Sequence, residues 1–314
     1  MDDDQIIAYV AQALGIKMRP ARVMRLGGRQ GMVVARVAFD GRGSWVFKAV
    51  RRADQREVAL AAAVAGFSGG RTPAVYGCEV DEPRGVSWIV MQDVGDLRLR
   101  DQPDADAFAA AADALAAIQI AALSHLDDPA LASVPRLGVS QWEDVALEVL
   151  DQVGSAAPQA SRAGLEDAAW AAGEAASVTA TLPVSLVHGD LHTGNVAIRE
   201  CGGPCLLDWG SAYLAAAFFG FEELAVASGG RMLVPEIEGR ARAAYLRRWA
   251  PLLGKPGPLA RPLLACRLLL RLEVARQALR RLEDGREAQF DAAAACRLAS
   301  DALRQWRKAS GTGS

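Results

Sequence analysis

The segment from Leu186 to Asp208 constrains the fold more than any other part of this chain. It reads LVHGDLHTGNVAIRECGGPCLLD and contains two carboxylates and an amide, those of Asp190, Asn195 and Asp208. The Gly-Gly-Pro sequence at 202–204 lies between the apolar stretches VAIRE and CLLDW, as is typical of a hairpin turn between two strands. The first two side chains are therefore predicted in a short loop, and the third at the end of the following hairpin.

These residue types suit phosphoryl transfer from a nucleotide. One acid, here Asp190, orients and deprotonates an attacking hydroxyl, while an amide and a second acid hold the Mg²⁺ ions that neutralise the triphosphate. Mg²⁺ prefers oxygen ligands, which Asn195 and Asp208 would supply. The sequence thus predicts Asp190 as the catalytic residue and Asn195 and Asp208 as metal ligands, with Mg²⁺ as cofactor and ATP or GTP as phosphoryl donor.

The spacing of the segment resembles that of a known group of enzymes. His188-Gly189-Asp190-Leu191 with Asn195 follows the kinase catalytic-loop pattern H-R-D-L-x-x-x-N with Gly for Arg, and Asp208-Trp209-Gly210 stands in the place of D-F-G. HGDLHTGN is similar to the HGDLHPGN of the aminoglycoside phosphotransferase and choline kinase group. A lone H-G-D would equally suit a turn with a capping acid, but the full string favours the resemblance.

The resemblance implies an α+β, protein-kinase-like fold with two lobes, a small β-rich N-lobe and a large, mostly helical C-lobe. We expect a nucleotide-binding lobe at 1–91, a hinge at 92–97, and a helical lobe at 98–314 with the catalytic loop and the acceptor site. Apolar periodicity predicts helices at 1–15, 104–123, 141–153, 164–180, 215–228, 236–249, 261–283 and 288–308.

The N-terminal part contains candidates for nucleotide binding. Gly27, Gly28 and Gly31 would let the backbone approach phosphates, although glycine pairs more often mark ordinary hairpins. Lys48 interrupts the apolar strand SWVFKAV and resembles the lysine of V-A-I-K, which contacts the α- and β-phosphates; otherwise it is an edge-strand lysine that opposes aggregation. Glu57 is the predicted ion-pair partner of Lys48, or else a solvated helix residue.

Further roles follow from the resemblance alone. The main chain of Gln92, Asp93 and Val94 would form the hinge that receives the purine edge. His192 stands at the position of the catalytic-loop lysine of protein kinases, where either a γ-phosphate contact or a structural role is expected. His188 is expected to brace the loop rather than react.

Three positions depart from the pattern of the group. Thr193 replaces the usual proline, which the loop should tolerate. Gly210 stands where many relatives carry a second acid, so a contact from that side chain is lost. Glu223, in FEELA, stands where the group often has aspartate, and it is a candidate structural or substrate-side acid.

Composition sets bounds on partners and location. The 314 residues are 51% hydrophobic and 23% charged with a formal net charge of −2, which suits a large core and gives no case for a nucleic-acid or membrane partner. The N-terminus is acidic where a secretory signal would be basic, and Asp113 and Gln119 interrupt the apolar stretch 108–123 as in a packed helix. We expect a cytoplasmic monomer or homodimer. Cys201 and Cys205 flank the hairpin turn and are expected to form neither a disulfide nor a metal site.

Charge bears on the acceptor, which we expect to be a hydroxylated small molecule. Residues 211–314 contain 17 basic and 10 acidic residues, a balance that does not suit a polycationic aminoglycoside and favours a neutral or anionic acceptor. Acids from 96–175 would still be able to line the cleft. The pairs Arg267/Arg271 and Arg276/Arg280 are expected on solvated helix faces, paired with Glu273, Glu283 and Glu287.

Three hypotheses about function follow. The leading one is an O-phosphotransferase that inactivates an aminoglycoside-like, nucleoside or peptide antibiotic and so confers resistance or self-resistance. The second is a metabolite kinase acting on homoserine, choline, a sugar or methylthioribose. The third is a non-catalytic nucleotide-binding module, against which the intact set of Asp190, Asn195, Asp208 and Lys48 argues. A protein kinase is disfavoured, because no A-P-E segment follows DWG.

Overall fold

A computed structural model describes the chain at residues 1–17, 21–27, 32–51, 55–138, 142–156, 165, 167–201, 203–227, 231–254, 259–283 and 289–311. The chain forms a small lobe built on an antiparallel sheet and a larger, mostly helical lobe. This is the predicted protein-kinase-like α+β architecture.

The N-lobe is a five-stranded antiparallel sheet with the strand order β1-β2-β3-β5-β4 and two helices. Its elements are α1 (Asp3–Ala13), β1 (Ala21–Gly27), β2 (Val33–Phe39), β3 (Gly43–Arg51), α2 (Gln55–Phe67), β4 (Val75–Asp81) and β5 (Val86–Gln92). Tyr9 of α1 packs on Phe47 and Trp88 on one face of the sheet. Because side chains alternate along a strand, Lys48 lies on the opposite face, toward α2 and the cleft between the lobes.

The C-lobe contains eight helices in the described ranges: α3 (Ala105–Ala122), α4 (Pro129–Ala132), α5 (Trp142–Ala156), α6 (Ala168–Thr179), α7 (Phe219–Ala225), α8 (Pro235–Leu253), α9 (Ala260–Glu283) and α10 (Gln289–Ser310). Short antiparallel pairs are formed by β6 (Val184–Val187) with β9 (Tyr213–Ala216), β7 (Val196–Ile198) with β8 (Pro204–Leu206), and β10 (Val226–Ala227) with β11 (Arg231–Met232). The catalytic segment thus lies between β6 and β8, with the predicted hairpin at β7 and β8.

The predicted helices agree with the structure within a few residues, with one exception. The helix expected at 215–228 is wrong at both ends, because Tyr213–Ala216 forms β9, Val226–Ala227 forms β10, and only Phe219–Ala225 is helical. Leu214 pairs with Leu186, so β9 supplies the main-chain partners of the buried strand that leads into the catalytic loop.

Of the helices described, only α3 is long and apolar enough to cross a membrane by length and composition. Its polar side chains have partners inside the lobe. Asp113 accepts a hydrogen bond from Arg248 Nε of α8 at 2.9 Å. Gln119 is fully buried, donates to the carbonyls of Leu186 and Ala217, and accepts from the Tyr245 hydroxyl at 2.6 Å. These contacts are those of a helix packed in the C-lobe core.

Candidate active site

His188 braces the catalytic loop from beneath. The ring is fully buried, its Nε2 bonds the Leu207 carbonyl at 2.7 Å, and its Nδ1 accepts the Asp190 N–H at 3.3 Å. Burial lowers the pKa of His188 to about 4, so the ring is neutral near pH 7. The two bonds assign the proton to Nε2. His188 therefore fixes the loop and takes no direct part in a proton transfer at the surface.

Asp190 and Asn195 are coupled through the loop. The Asp190 carboxylate is exposed to the cleft, with Oδ2 3.9 Å from His192 Nε2. Asn195 Nδ2 donates to the Asp190 main-chain carbonyl at 2.9 Å. Because this bond commits the amide nitrogen, Oδ1 of Asn195 is the atom that can ligate a cation. The His192 ring caps the turn at 193–195, with Nδ1 accepting the Gly194 N–H at 3.0 Å.

Asp208 has an unusual backbone conformation. With φ 64° and ψ 69°, it is the one non-glycine residue in the described ranges with a positive φ. Both main-chain groups of the preceding residue, Leu207, form hydrogen bonds. Its N–H donates to the Asn195 carbonyl at 2.8 Å, and its carbonyl accepts from His188 Nε2. Such conformations cost free energy and are concentrated at functional sites. The strained backbone turns the Asp208 carboxylate toward the N-lobe.

Lys48 joins the two lobes at this carboxylate. Its ammonium forms an ion pair with Glu57 of α2 and lies 3.0 Å from Asp208 Oδ1. Burial opposes the charge on Lys48, but the Asp208 and Glu57 carboxylates outweigh it and raise the lysine pKa. Lys48 is therefore a fixed cation at the inner end of the cleft.

The residues near Asp208 fit a Mg²⁺ ion. Asp208 and Asn195 offer a carboxylate and an amide oxygen, the hard ligands that Mg²⁺ takes alongside water and phosphate oxygens. No group of three or more His, Cys, Asp or Glu side chains within the described part of the chain is arranged to hold a metal. A site completed by a nucleotide needs only this sparse protein ligand set.

Two cavities meet at the catalytic loop. The first, which we call the donor cavity, has a volume of about 310 Å³, lies between the lobes, and is lined by Lys48, Asn195 and Asp208 among others. The second, the acceptor cavity, has a volume of about 720 Å³, lies within the C-lobe, and is lined by Asp190 and His192. The loop from Gly189 to Asn195 therefore forms a wall shared by both cavities.

The predicted nucleotide residues are distributed unevenly over these cavities. Lys48, Glu57, Gln92, Asp93 and Val94 line the donor cavity. Gly27 ends β1 and is not among the lining residues, and His192 lines the acceptor cavity instead. Gly28 and Gly31 lie outside the described residues, so their role stays a prediction.

Arg36, for which the sequence gives no signal, bonds the segment predicted as the hinge. Its Nη2 donates to Asp93 Oδ1 at 3.1 Å and to Asp96 Oδ1 at 2.7 Å, and Ser44 donates to Asp93 Oδ2 at 2.6 Å. Burial opposes ionisation of Asp93, but the bonds from Ser44 and Arg36 hold its pKa below the usual range. The Gln92 N–H donates to the Ala74 carbonyl at 2.8 Å, so the main-chain donor of this residue is already used within the N-lobe.

The acceptor cavity contains residues that no sequence pattern indicated. Its walls come from the segment before α5, from α9 and from α10, and include Arg136, Trp142, Arg271, Val274 and Leu298. Only the three-dimensional packing of these helices reveals that they share one cavity. Glu223, a candidate structural or substrate-side acid from the sequence, also lines this cavity. It accepts hydrogen bonds from the Gly189 N–H at 3.0 Å and from the Tyr213 hydroxyl at 3.2 Å.

The two lobes and the cleft between them form a protein-kinase-like fold. The chain belongs to the phosphotransferase enzyme family, whose sequence model matches residues 21–261. It is therefore a small-molecule phosphotransferase with a hydroxyl acceptor. A search of curated proteins found no match.

Solved structures of similar fold include phosphotransferases and a choline kinase. A thermostable mutant of aminoglycoside phosphotransferase APH(4)-Ia, in a ternary complex with ADP and hygromycin B, has 16% identity and a TM-score of 0.55 over 99% of this chain and 100% of that one. The GDP complex of an aminoglycoside 2'-phosphotransferase-IIIa mutant has 15% identity and a TM-score of 0.62 over 99% and 98%. Choline kinase from Cryptosporidium parvum Iowa II has 10% identity and a TM-score of 0.63 over 98% and 96%.

Proposed function

We propose that this protein transfers the γ-phosphate of ATP or GTP to a hydroxyl of an antibiotic and thereby inactivates it. The observation that carries the proposal is the wall shared by the two cavities. Asp190 faces the acceptor cavity while Asn195 and Asp208 face the donor cavity, so a hydroxyl and a terminal phosphate would meet across one loop. Holding two reactants in such an arrangement removes much of the entropic cost of their reaction.

Each side chain has a distinct role in this proposal. Asp190 would orient the acceptor hydroxyl and receive its proton as the new P–O bond forms. Lys48, held by Glu57, would contact the phosphates of the donor, and the main chain of Asp93 and Val94 would receive the base. His192 would remain structural, since its Nδ1 caps the turn that carries Asn195.

Magnesium would be held by Asp208 and Oδ1 of Asn195, and it would neutralise charge on the phosphates of the bound donor. The bond from Asn195 Nδ2 to the Asp190 carbonyl then acquires a functional meaning. It links the position of a metal ligand to that of the catalytic carboxylate, so that donor and acceptor geometry are set together.

The proposal is tested by mass spectrometry of hydroxylated antibiotics and common metabolites. Each compound is incubated with the protein, Mg²⁺ and either ATP or GTP. We expect one antibiotic to gain a phosphoryl group, and we expect Asp190→Asn to reduce kcat by at least about 10²-fold, as is typical for loss of a proton acceptor.

Two controls separate the outcomes. Asp127→Asn alters an exposed acid outside both cavities and should leave transfer unchanged. Nucleotide affinity of Asp190→Asn, measured by calorimetry, should equal that of the wild type, which shows that the fold is intact. Undiminished transfer by Asp190→Asn would overturn the proposed mechanism. Transfer to a metabolite and to no antibiotic would make that metabolite, and not an antibiotic, the acceptor.

A further inference from the structure

Two helices contribute apolar side chains to the acceptor cavity. Leu270 and Val274 are four residues apart on α9, and Ala294 and Leu298 are four residues apart on α10, so each pair lies on one face of its helix. All four side chains line the cavity and are only partly buried. The surface that they leave exposed is apolar, and a bound compound that covered it would remove it from water.

The segment before α5 adds a further apolar wall, which the main chain holds in place. The Leu137 N–H donates to the Leu214 carbonyl at 2.9 Å, and the Leu214 N–H donates to the Pro135 carbonyl at 2.8 Å. Leu214 belongs to β9, which pairs with the strand that enters the catalytic loop. Trp142, at the start of α5, also lines the cavity and stacks on Phe219, with the ring centroids 5.4 Å apart. This wall is therefore fixed relative to the catalytic loop.

The two glutamates that line the cavity have partners within the protein. Glu273 accepts hydrogen bonds from Arg276 at 2.9 and 2.6 Å. Glu223 accepts from the Gly189 N–H and the Tyr213 hydroxyl, and burial raises its pKa to about 8, so it is largely uncharged near pH 7. Neither carboxyl group is therefore reserved for a cationic ligand.

The arginines of the cavity have partners too, or lie in solvent. Arg271 is 2% exposed, and the carboxylates of Glu222 and Glu238 attract its guanidinium group. Arg281, in the last turn of α9, also interacts within the protein. Arg136 is exposed, and an exposed charge pair contributes little to binding. The charges of the lining thus give no ground for the selection of an anion.

The size of the cavity indicates what remains as a source of affinity. A volume of about 720 Å³ lies in the range of sites that bind drug-sized compounds, in which apolar side chains form most of the contact. A charged ligand group would lose its hydration here without gaining a dedicated partner, which is costly. Burial of apolar surface would instead be favourable. Asp190, on the catalytic loop, would meet the reactive hydroxyl.

We infer that the acceptor is an uncharged compound whose reactive hydroxyl is attached to a large apolar body, and that Leu270, Val274 and Leu298 bind this body. The inference rests on the proposed function, because it concerns the acceptor of the same reaction. It narrows the neutral or anionic acceptor that the overall charge favours to a neutral one.

Two matched sets of probes test the inference. In the first set, phenylethanol, phenylbutanol and phenylhexanol carry the same hydroxyl on an apolar body of increasing length. We expect Kd to fall at least about fourfold at each step, since every buried methylene group improves binding by up to about fourfold. The second set is phenylbutanol with a para aminomethyl group, a carboxylate or a carboxamide. We expect both charged derivatives to bind at least about tenfold more weakly than phenylbutanol.

Binding is measured by ligand-observed NMR in the presence of a non-hydrolysable ATP analogue and Mg²⁺. Phosphorylation of each probe is measured separately, by mass spectrometry with ATP. The two readouts report on the acceptor cavity and on the transfer reaction independently.

Leu298→Gln tests the apolar wall itself. Glutamine has a similar size but a polar end, so Kd for phenylhexanol should rise at least about tenfold, and Kd for the carboxamide should change by less than about threefold. Leu147→Gln is the matched control, because it makes the same change at an exposed leucine of α5 outside the cavity, and it should keep the wild-type values. Val274→Thr preserves the shape of the side chain and should raise Kd for phenylhexanol about threefold. Unchanged affinity for the ATP analogue shows that each variant is folded.

The outcomes separate the inference from the proposed function. The expected order of Kd values, with weaker binding to Leu298→Gln but no phosphorylation of any probe, supports the inference and counts against transfer to such hydroxyls. Phosphorylation with a charged probe preferred supports the transferase function and overturns the inference. Binding of no probe while the ATP analogue binds, or equal effects of the two leucine substitutions, also overturns it.

Discussion

A Cβ atom built on Gly189 would lie 2.0 Å from the main-chain carbonyl oxygen of Ser211. Gly189 also has a φ of 83°, in the left-handed region that other residues rarely adopt. The carbonyl belongs to the segment that follows Asp208, so the loop that carries Asp190 and the segment after Asp208 touch through backbone atoms. This contact explains why glycine stands where the protein-kinase loop has arginine.

Gly189→Ala should therefore damage both folding and catalysis. The methyl group meets a backbone atom, which cannot rotate away as a side chain would, and the left-handed φ adds strain. We expect the free energy of unfolding to fall by about 1–3 kcal/mol. Displacement of Asp190 by even about 1 Å should lower kcat about 10²-fold. Urea denaturation and steady-state kinetics measure the two effects.

Gly85→Ala is the matched control for this prediction. Gly85 has a φ of 63° and no atom within 4 Å of its Cβ position, so the substitution adds strain without a clash. Its cost should stay near about 1–2 kcal/mol, with kcat unchanged. Equal kcat values for the two variants would show that the Ser211 contact does not position Asp190.

Gly210 has a similar relation to Glu57. A Cβ on Gly210 would lie 2.9 Å from Cγ and Cδ of Glu57, the partner of Lys48. Gly210→Ala should push the glutamate away and loosen the lysine, raising KM for the nucleotide about tenfold through loss of a charge-assisted bond. The control is Gly66→Ala, which lies on α2, the helix that carries Glu57, at a position where an added Cβ meets no atom within 4 Å. This substitution should stabilise α2 by about 0.5–1 kcal/mol. If both variants kept the wild-type KM, Gly210 would have no influence on Lys48.

Short-range patterns in the sequence predicted the core of the candidate site. The string HGDLHTGN and its distance from Asp208-Trp209 predicted the positions of Asp190, Asn195 and Asp208, because only one hairpin separates these residues along the chain. The prediction that Lys48 pairs with Glu57 required only the recognition of a strand followed by a helix. The structure places Lys48, Glu57, Asn195 and Asp208 in the donor cavity and Asp190 in the adjoining acceptor cavity, although their catalytic roles remain predictions.

Contacts between distant segments were not predictable in this way. The clamp of Arg36 on Asp93 joins residues 57 positions apart. The expectation of a solvated face is wrong for Arg267 and Arg271, which are buried, because helical spacing cannot show which face of α9 meets α7. Arg276 bonds Glu273 as predicted, whereas Arg280 pairs with Glu148 of α5, and the side chains of Glu283 and Glu287 lie outside the described residues.

Stability should depend on pH through Glu223. Burial raises the pKa of its carboxyl from 4.5 to about 8, so the folded state retains a proton that the unfolded state releases. The stabilisation that this bound proton gives the folded state is complete below pH 4.5. It is lost as the pH rises to about 8, where the free energy of unfolding falls by at most about 1.4 kcal/mol per pH unit. The pKa of His188 is lowered from 6.5 to about 4, so this residue makes stability rise with pH, but only between those two values. The window from pH 6.5 to 8 therefore separates the titration of Glu223 from that of His188.

Glu223→Gln tests this sign directly. The amide keeps the shape of the side chain but does not titrate, so the decline of stability over that window should be smaller than in the wild type. Urea denaturation of both proteins at several pH values gives the difference in free energy of unfolding, in which all other groups cancel. A difference that stays constant with pH would contradict a raised pKa at Glu223.

The buried pair of Arg267 and Glu222 should be the most sensitive polar contact of the C-lobe. Glu222 is 1% exposed at its side chain, and Arg267 also donates to Glu238 at 2.6 Å. Arg267→Met leaves a buried carboxylate without its bidentate partner, which should cost about 3–5 kcal/mol in urea denaturation. Arg248→Met, which breaks the more exposed pair with Asp113, should cost at most about 1 kcal/mol. Because the double variant no longer buries the Glu222 carboxylate without its bidentate partner, Arg267→Met with Glu222→Leu should be more stable than Arg267→Met alone. A double variant less stable than the single one would mean that Arg267 acts through packing rather than charge.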